Sequence, residues 1–315
     1  MDATDLALRD LRVVDSMVGR SLVEPPWGIA VDSDDTCMLA AVTQGEMWAT
    51  RAGSPPVHLG SGDVVVSCGG ATLRLGDRPD SDVDVVIAGR DACYDPSTGA
   101  DLSERCLIGG RTFGSRDGSV SVLVAAFATT GATYDLLAAD LPAMLIVPSH
   151  ADVSAILDIV AVETESNRPG QQVAVDRLME LLALASIRTW LRAAPAEIPS
   201  WAASLDDPVA GPALRAMHAE PARSWTVAEL AALAAVSRSA FARRFRARVG
   251  VAPLAHLVRW RMALATDLMR AEPHLGLAEV AAAVGYSDAF SFSNAYRRVR
   301  GVSPSQARRR PARSA

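Results

Sequence analysis

Thr226-Val227-Ala228-Glu229-Leu230-Ala231 opens a pattern that continues with Phe241, Phe245, Gly250-Val251 and Pro253, and the chain then writes it again as Ala278-Glu279-Val280-Ala281, Phe292, Tyr296, Gly301-Val302 and Pro304. The offset is 50 residues at the start and 51 from the aromatics onward, so the second copy holds one extra residue in its middle turn. Each copy predicts helix, tight turn, helix. Thr226 with Glu229 three residues later is a capping box that starts the first helix. Ala235-Val236-Ser237 and Gly285-Tyr286-Ser287 are the turns, and the second helices are expected over Ser237–Val249 and Asp288–Arg300. Phe241/Phe245 and Phe292/Tyr296 are i, i+4 pairs that share one buried face. Gly250 and Gly301 stand where a left-handed C-terminal cap is wanted, and Pro253 and Pro304 start the next helices.

A helix-turn-helix written twice points to DNA, because in that motif the second helix enters the major groove and its outward residues meet base edges. With the aromatics inward, the outward residues are Arg238, Ser239, Ala242, Arg243 and Arg246 in the first copy. In the second they are Phe290, Ser291, Asn294, Arg297 and Arg298. Arg243 suits a bidentate contact to guanine, Asn294 one to adenine, and Phe290 a thymine methyl. The other reading of each Arg is a phosphate contact, which positions the protein without specifying sequence. Pro253–Arg270 is an unbroken helical stretch of 18 residues, about 27 Å long. Such a connector suits two recognition helices set about one DNA turn, ~34 Å, apart, so one chain would read an asymmetric site.

Charge supports that reading once it is divided. Over 315 residues the formal net charge is −5, and every one of the 31 basic residues is Arg. Residues 1–222 carry 15 Arg against 31 Asp plus Glu, a net of −16, whereas residues 223–315 carry 16 Arg against 5 acids, a net of +11. A compact segment that basic has the footprint of a nucleic-acid binder. No apolar run reaches the roughly 18 residues of a membrane span, and the acidic start Met1-Asp2-Ala3-Thr4-Asp5 lacks the basic region of a signal peptide. The expected location is therefore cytoplasmic, with no membrane partner.

Upstream, a short helix is expected around Asp5–Val18, and Trp27 to about Val147 reads as β-rich. Apolar stretches at Cys37–Val42, Val64–Ser67, Val83–Ala88, Val120–Ala128 and Met144–Val147 are separated by Gly-, Pro- and Asp-containing turns, the spacing of a barrel or sandwich. Helices follow over Asp152–Thr164 and Gln172–Arg192. In the second, Val175, Leu178, Met179, Leu182, Ala185 and Trp190 supply one apolar face, while Leu181, Leu184, Ile187 and Leu191 widen it beyond what one packing surface requires. Either the helix is buried within its own domain, or it also pairs with its copy in a homodimer. Five Pro between Ala193 and Arg223 mark the joint, and Asp207-Pro208 opens a short helix to about His218. The four Cys at 37, 68, 93 and 106 show no C-x-x-C spacing in a chain too large to need disulfide staples, so inert free thiols are expected.

Trp225–Arg309 resembles the DNA-binding domain of the AraC/XylS family of bacterial transcription regulators. The resemblance rests on Val284-Gly285-Tyr286 followed by Phe292, Tyr296 and Gly301-Val302-Ser303-Pro304, and upstream on Ser237 to Phe245 with Gly250 and Pro253. It implies that Ser239, Ala242, Arg243, Phe290, Ser291 and Asn294 face the groove. Small residues at 239 and 242 depart from the bulkier readers of the family, which puts the specificity of the first helix on Arg243. The N-terminal part resembles the cupin-type effector domain of one branch of that family, through Pro26-Trp27-Gly28, Gly62-Asp63-Val64, Leu75-Gly76-Asp77 and Leu136-Leu137 with Leu141-Pro142. Trp201, Asp207-Pro208, Ala213-Leu214 and Met217-His218 continue it. Where relatives carry a Pro and a His after the Gly-Asp strand, this chain has Cys68 and Leu73.

The expected fold class is thus multidomain α and β. It comprises an N-terminal cupin-like β-barrel with flanking helices over residues 1–192, a linker at 193–204, and an all-α domain of two helix-turn-helix motifs joined by a long helix over 205–315. The resemblance implies a sequence-specific regulator that is not an enzyme and needs no cofactor or metal. Its implied partners are double-stranded promoter DNA, a small-molecule effector near Trp27 and Trp48, a second copy of the chain and, for an activator, RNA polymerase. Two alternatives stand beside it. One is a thiol-based redox sensor using Cys68, Cys93 and Cys106. The other is a metal-dependent cupin enzyme, which the scarcity of His in the first half (only His58 and His150) disfavours.

Overall fold

The computed structural model describes residues 11–32, 37–68, 71–88, 92–103, 106–130, 132, 141–165, 168–193, 204–205 and 207–309. The start of the expected first helix (Asp5–Asp10), Leu136, Leu137, Trp201 and most of the expected linker lie outside them. The chain forms two compact units, one of Arg12–Thr129 with Pro142–Pro195 and the other centred on Ala196–Ala315.

The first unit has thirteen strands among the described residues: β1 (Arg12–Val23), β2 (Gly28–Asp32), β3 (Cys37–Gln44), β4 (Glu46–Arg51), β5 (Val57–Gly60), β6 (Val64–Cys68), β7 (Leu73–Gly76), β8 (Val85–Ala88), β9 (Ala92–Tyr94), β10 (Leu107–Gly109), β11 (Thr112–Gly114), β12 (Val120–Thr130) and β13 (Met144–Val147). They make a seven-stranded sheet in the order β10-β11-β1-β12-β3-β6-β13 and a six-stranded sheet in the order β5-β4-β7-β2-β8-β9. The sheets share one core, with Met38, Val42, Val65 and Val122 from the first meeting Ile29, Met47, Leu73 and Leu75 from the second. Helices α1 (Ala151–Glu165) and α2 (Gln171–Ala193) pack on one another and against β1, and α2 also against β13. The seven-stranded sheet is therefore covered on both faces, and β3 is buried without a break from Cys37 to Val42.

Two expectations fail here. Arg12–Val18 is not helical: it belongs to β1, which pairs in parallel with β11 through Arg20↔Thr112. A tertiary partner decides the conformation of a segment whose local pattern is ambiguous. Nor are all four Cys free. Cys37 and Cys68 are directly opposed in the antiparallel β3–β6 ladder, with Cα atoms 4.2 Å apart, and form a disulfide. Strand register, which spacing along the chain does not reveal, brings them together. Leu73 is fully buried in the core, as an apolar residue at that position should be.

The second unit is helical: α3 (Ala210–Ala219), α4 (Val227–Leu233), α5 (Arg238–Val249), α6 (Pro253–Ala271), α7 (Leu277–Ala283), α8 (Ala289–Arg300) and α9 (Pro304–Arg309). Thr226 and Glu229 complete the expected capping box. Ser237 caps α5 and Asp288 caps α8, each accepting a backbone N–H three residues on. Gly250 and Gly301 close those helices in the left-handed conformation, with φ of 82° and 74°. Phe241 and Phe245 are fully buried, and Phe292 and Tyr296 join Met262, Ala265 and Met269 of α6 in a second cluster. The Tyr296 hydroxyl lies 2.8 Å from Thr266 Oγ1, which satisfies both buried groups.

The α4–α5 and α7–α8 turns share one backbone solution. Ala235 has φ 53° and Gly285 φ 79°, and the next residue in each turn returns its N–H to the carbonyl of Ala231 or Ala281. At Gly285 a Cβ would run into the Ala222 carbonyl, whereas Ala235 already carries one. Gly285→Ala should therefore cost about 3 kcal/mol or more, from left-handed strain plus a backbone clash. Ala235→Gly should be neutral to stabilising by up to ~1 kcal/mol. Urea unfolding of the two variants checks the asymmetry.

His218 of α3 and His256 of α6 sit Nε2 to Nε2 at 2.8 Å, with the His218 ring stacked on Trp260 at 4.1 Å between centroids. Burial, joined by the facing His256, pushes His218 well below the usual histidine value; burial, joined by Arg259, takes His256 to about 4. Both pKa values are lower folded than unfolded, so unfolding takes up protons below the ordinary value near 6.5. The helical unit should thus hold its stability above about pH 6.5 and lose it as pH falls toward 4. His256→Gln should flatten that dependence in thermal melts recorded between pH 7.5 and 4.5.

Candidate nucleic-acid interface and cavity

The surface of α5 follows from which of its residues are spent in the core. With Phe241, Phe245 and Val249 buried, Arg238, Ser239, Arg243 and Arg246 are exposed and Ala242 is half-buried. On α8, burial of Phe292, Ala295 and Tyr296 leaves Phe290, Ser291, Asn294, Arg297 and Arg298 exposed. Phe290 is 78% exposed, the most open large apolar side chain among the described residues. Ser291 is partly spent on the fold, since its N–H and hydroxyl donate to Asp288 at 2.7 and 2.9 Å. Ser239 Oγ lies 3.3 Å from Ser237 Oγ beside the α5 cap.

Some arginines of this unit are tied to the fold and others are not. Arg223 pairs with Glu220 and Glu229, Arg270 with Asp267, and Arg244 and Arg248 both with Asp207. Arg261 donates to the carbonyls of Pro221, Arg223 and Gly285. Arg238, Arg243, Arg246, Arg297 and Arg298 make no ion pair among the described residues, and all five are on the exposed faces of α5 and α8. Several arginines are thus paired or hydrogen-bonded in place, while these five, and Arg259 on α6, are left without an ion pair among the described residues, and the five lie on faces where a phosphate backbone would supply the counter-charge.

Asp207 organises the start of the unit. Its side chain, 5% exposed, accepts the N–H groups of Val209 and Ala210 just ahead of α3, and its second oxygen meets Arg244 at 2.9 Å and Arg248 at 3.0 Å on α5. Burial pushes its pKa up, but the Arg244 guanidinium and the two backbone donors outweigh that and hold it at about 2.

The first unit holds a separate cavity of about 660 Å³, within the range of small-molecule sites. Its walls come from β1, β2, β8, β9, the β10–β11 turn, β12 and α2. Trp27, Ile29, Val85, Phe113 and Val124 line the apolar part, and Ser16, Asp84, Arg111, Gln172 and Asp176 supply polar groups. One network ties four of these together. Asp176 Oδ1 accepts from the N–H and hydroxyl of Ser16 and from Gln172 Nε2 at 3.0 Å, and Gln172 Oε1 accepts from Arg111 at 2.7 Å.

Comparisons with known proteins agree with both halves. A family model described as a cupin matches residues 2–192, and one described as a helix-turn-helix domain matches residues 230–310. A putative AraC-like transcription regulator of Streptomyces lividans is 32% identical over 294 residues, covering 90% of each chain. Another from Streptomyces antibioticus is 32% identical over 290 residues, covering 90% of this chain and 91% of that one. The crystal structure of the DNA-binding domain of AdpA in complex with a target DNA is 32% identical over 33% of this chain and 91% of its own, with a TM-score of 0.31. The chain belongs to the AraC family.

Of the two tryptophans suggested for effector contact in this AraC-family regulator, Trp27 lines the cavity and Trp48 does not. Along β4 the inward residues are Met47, Ala49 and Arg51, so Trp48 points to the outer face, where it packs against His58 at 5.1 Å between centroids. Cys93 and Cys106 both line the cavity as free thiols, a placement that their spacing did not signal. Burial, then Cys106, then Asp101 raise the Cys93 pKa to about 11, so at neutral pH it is a thiol and a poor nucleophile. Arg111 and Asp176 had no sequence signal at all, because each acts through partners some 60 to 160 residues away in the chain.

Removing Asp207 tests the electrostatic division. Asp207→Ala should destabilise the helical unit by about 1–2 kcal/mol, through loss of the cap and of the tie to α5. Since the folded pKa is depressed, the carboxylate's contribution is present above the ordinary value near 3.9 and disappears as pH falls through about 2. Chemical denaturation at pH 7 and pH 3 reads both effects.

Proposed function

We propose that this AraC-family transcription regulator grips promoter DNA with two helix-turn-helix motifs, α4–α5 and α7–α8, held by α6. The observation that carries the reading is that five exposed arginines without an ion pair among the described residues, together with Phe290 and Asn294, lie on the outer faces of α5 and α8. At 19 residues α6 is about 28 Å long, which suits two helices in successive major-groove segments of one asymmetric site. Arg243 reads guanine, Asn294 adenine and Phe290 a thymine methyl, while Arg238, Arg246, Arg297 and Arg298 hold phosphates. Ala242 and Ser239 add close approach rather than readout, and Ser291 is fixed by its cap.

In this reading the first unit is the regulatory half, taking a small-molecule effector in the 660 Å³ cavity and making no chemical change to it. This half is taken as residues 1–192, around the cupin match over 2–192, with a joint near 193–204 and the DNA-binding region from 205 onward. Homodimerisation is assigned to α1 and α2. Ile159 and Val162 on α1 and Val173 and Leu181 on α2 are exposed apolar side chains on two mutually packed helices. Leu184 and Leu191 flank them half-buried, while Ile187 turns into the core. RNA polymerase is a further partner if the regulator activates. A cytoplasmic place follows from a DNA target, and among the described residues no helix is long and apolar enough to cross a membrane.

Selection of bound sequences from random duplex by the full chain, followed by anisotropy titrations, tests the proposal. The log of the affinity should fall steeply and linearly with log salt. Arg243→Ala should cost about 1–3 kcal/mol and relax the preference at one base pair, whereas Arg297→Ala should weaken all sequences alike and lower the salt slope by about one. A selected pool with no consensus, or equal losses from both variants at every position, would sink it.

A further inference from the structure

The cavity of the first unit has a charge character that its apolar walls conceal. Three of its lining side chains are ionisable as full charges: Asp84, Asp176 and Arg111. Arg111 donates to Gln172 Oε1 at 2.7 Å, and it is one cation against two carboxylates. Each of the two carboxylates keeps one oxygen open. Asp84 Oδ2 accepts the Gly28 N–H at 3.0 Å and Asp176 Oδ1 takes its three donors, while no hydrogen bond is seen at Asp84 Oδ1 or Asp176 Oδ2 among the described residues. Trp27 and Phe113 are the aromatic residues of the lining, and the face of an aromatic ring attracts cations rather than anions. The unit that holds the cavity, residues 12–129 with 142–195, carries 13 Arg against 22 Asp plus Glu, a net of −9, a field that concentrates cations and repels carboxylates.

The geometry points to a lipophilic cation as the ligand, an ammonium or similar nitrogen cation on an apolar body, with Asp84 and Asp176 taking the charge and the Trp27–Phe113 region the apolar part. The assignment rests on the reading of this unit as the effector-binding half. A fatty carboxylate of the same shape meets the opposite balance: one cation, Arg111, against two carboxylates. A neutral alcohol gains the apolar contacts and loses the ionic ones.

Decylammonium, decanol and decanoate, each below its micelle-forming concentration, separate these cases when titrated into the full chain by calorimetry at low salt without DNA. Decylammonium should bind at least ten-fold tighter than decanoate and several-fold tighter than decanol, with the advantage shrinking as salt rises. Asp84→Asn should lower decylammonium affinity several-fold and leave decanol unchanged. Because Asp176 also holds Ser16 and Gln172, Asp176→Asn is read only alongside its melting temperature. Decanoate binding as tightly as decylammonium, equal binding of decylammonium and decanol, or binding of none of the three would overturn the proposal. A parallel anisotropy titration with the selected DNA keeps the two readings apart. Decylammonium that binds but leaves DNA affinity unchanged upholds the ligand class and removes the effector role. Ligand-free DNA binding that is intact while no probe binds removes the ligand class alone.

Discussion

The helical unit depends on one guanidinium. Arg261 projects from the middle of α6 and donates to the carbonyls of Pro221 at 2.6 Å, Arg223 at 2.9 Å and Gly285 at 3.4 Å, with its carbon 5.7 Å from the centre of the Tyr286 ring. Those carbonyls belong to two connections that would otherwise be unrelated: the segment after α3 and the turn between α7 and α8. Hydrogen bonds from a charged donor are stronger than neutral ones, so the side chain ties both part-buried connections to α6. The fork geometry matters, because an ammonium would reach one or two of the three acceptors. Gly285 is the complement of this arrangement: its missing Cβ lets the Ala222 carbonyl approach, which brings the two connections within reach of one side chain.

Around that centre α6 serves both halves of the repeat. Leu257 and Trp260 are buried in its first part, next to His218 and His256, and Met262, Ala265 and Met269 pack under α7 and α8. A helix buried along its whole length in two successive cores cannot bend without emptying one of them, and cavities are expensive in close-packed interiors. The orientation of α5 relative to α8 is thus set by packing rather than by the short turns flanking each helix. Asp207 adds a third tie, joining the start of α3 to α5 through Arg244 and Arg248.

What was legible in the sequence depended on how each element is buried. β3, β6, β12 and β13 lie in the sheet covered on both faces, so they read as short apolar runs and their positions were found. β4 and β7 belong to the other sheet and alternate buried with open residues over only four to six positions, too short a pattern to stand out. β1 was read as helix because Met17, Val18 and their neighbours fit either period until β11 and α2 are in place. In the helical unit the capping residues, the i, i+4 aromatics and the left-handed glycines all act within a few positions of one another, so the elements there were readable almost to the residue. The exposed faces of α5 and α8 were legible for the same reason, since placing Phe241 and Phe245 inward leaves Arg243 on the outside. The cavity was not, because Ser16, Arg111 and Asp176 meet only through tertiary structure.

The cavity rim also bears on how a ligand would be felt. Gln172 and Asp176 lie in the first two turns of α2, and through Ser16 and Arg111 they fasten that helix to β1 and to the β10–β11 turn. The same helix carries Val173 and Leu181 on its open side, part of the apolar surface assigned to dimerisation. A ligand that engages Asp176 must share or replace its existing donors, so bound and free forms differ in how tightly the start of α2 is held. A regulator needs that unequal affinity, because a ligand that contacts both states alike shifts neither. By contrast, a ligand confined to the inner wall around Ile29 and Val124 would fill space without touching α2 and would have no such leverage. If the proposed effector and dimer are right, the polar residues Gln172 and Asp176, and not the apolar wall, are where binding would be converted into a change of assembly.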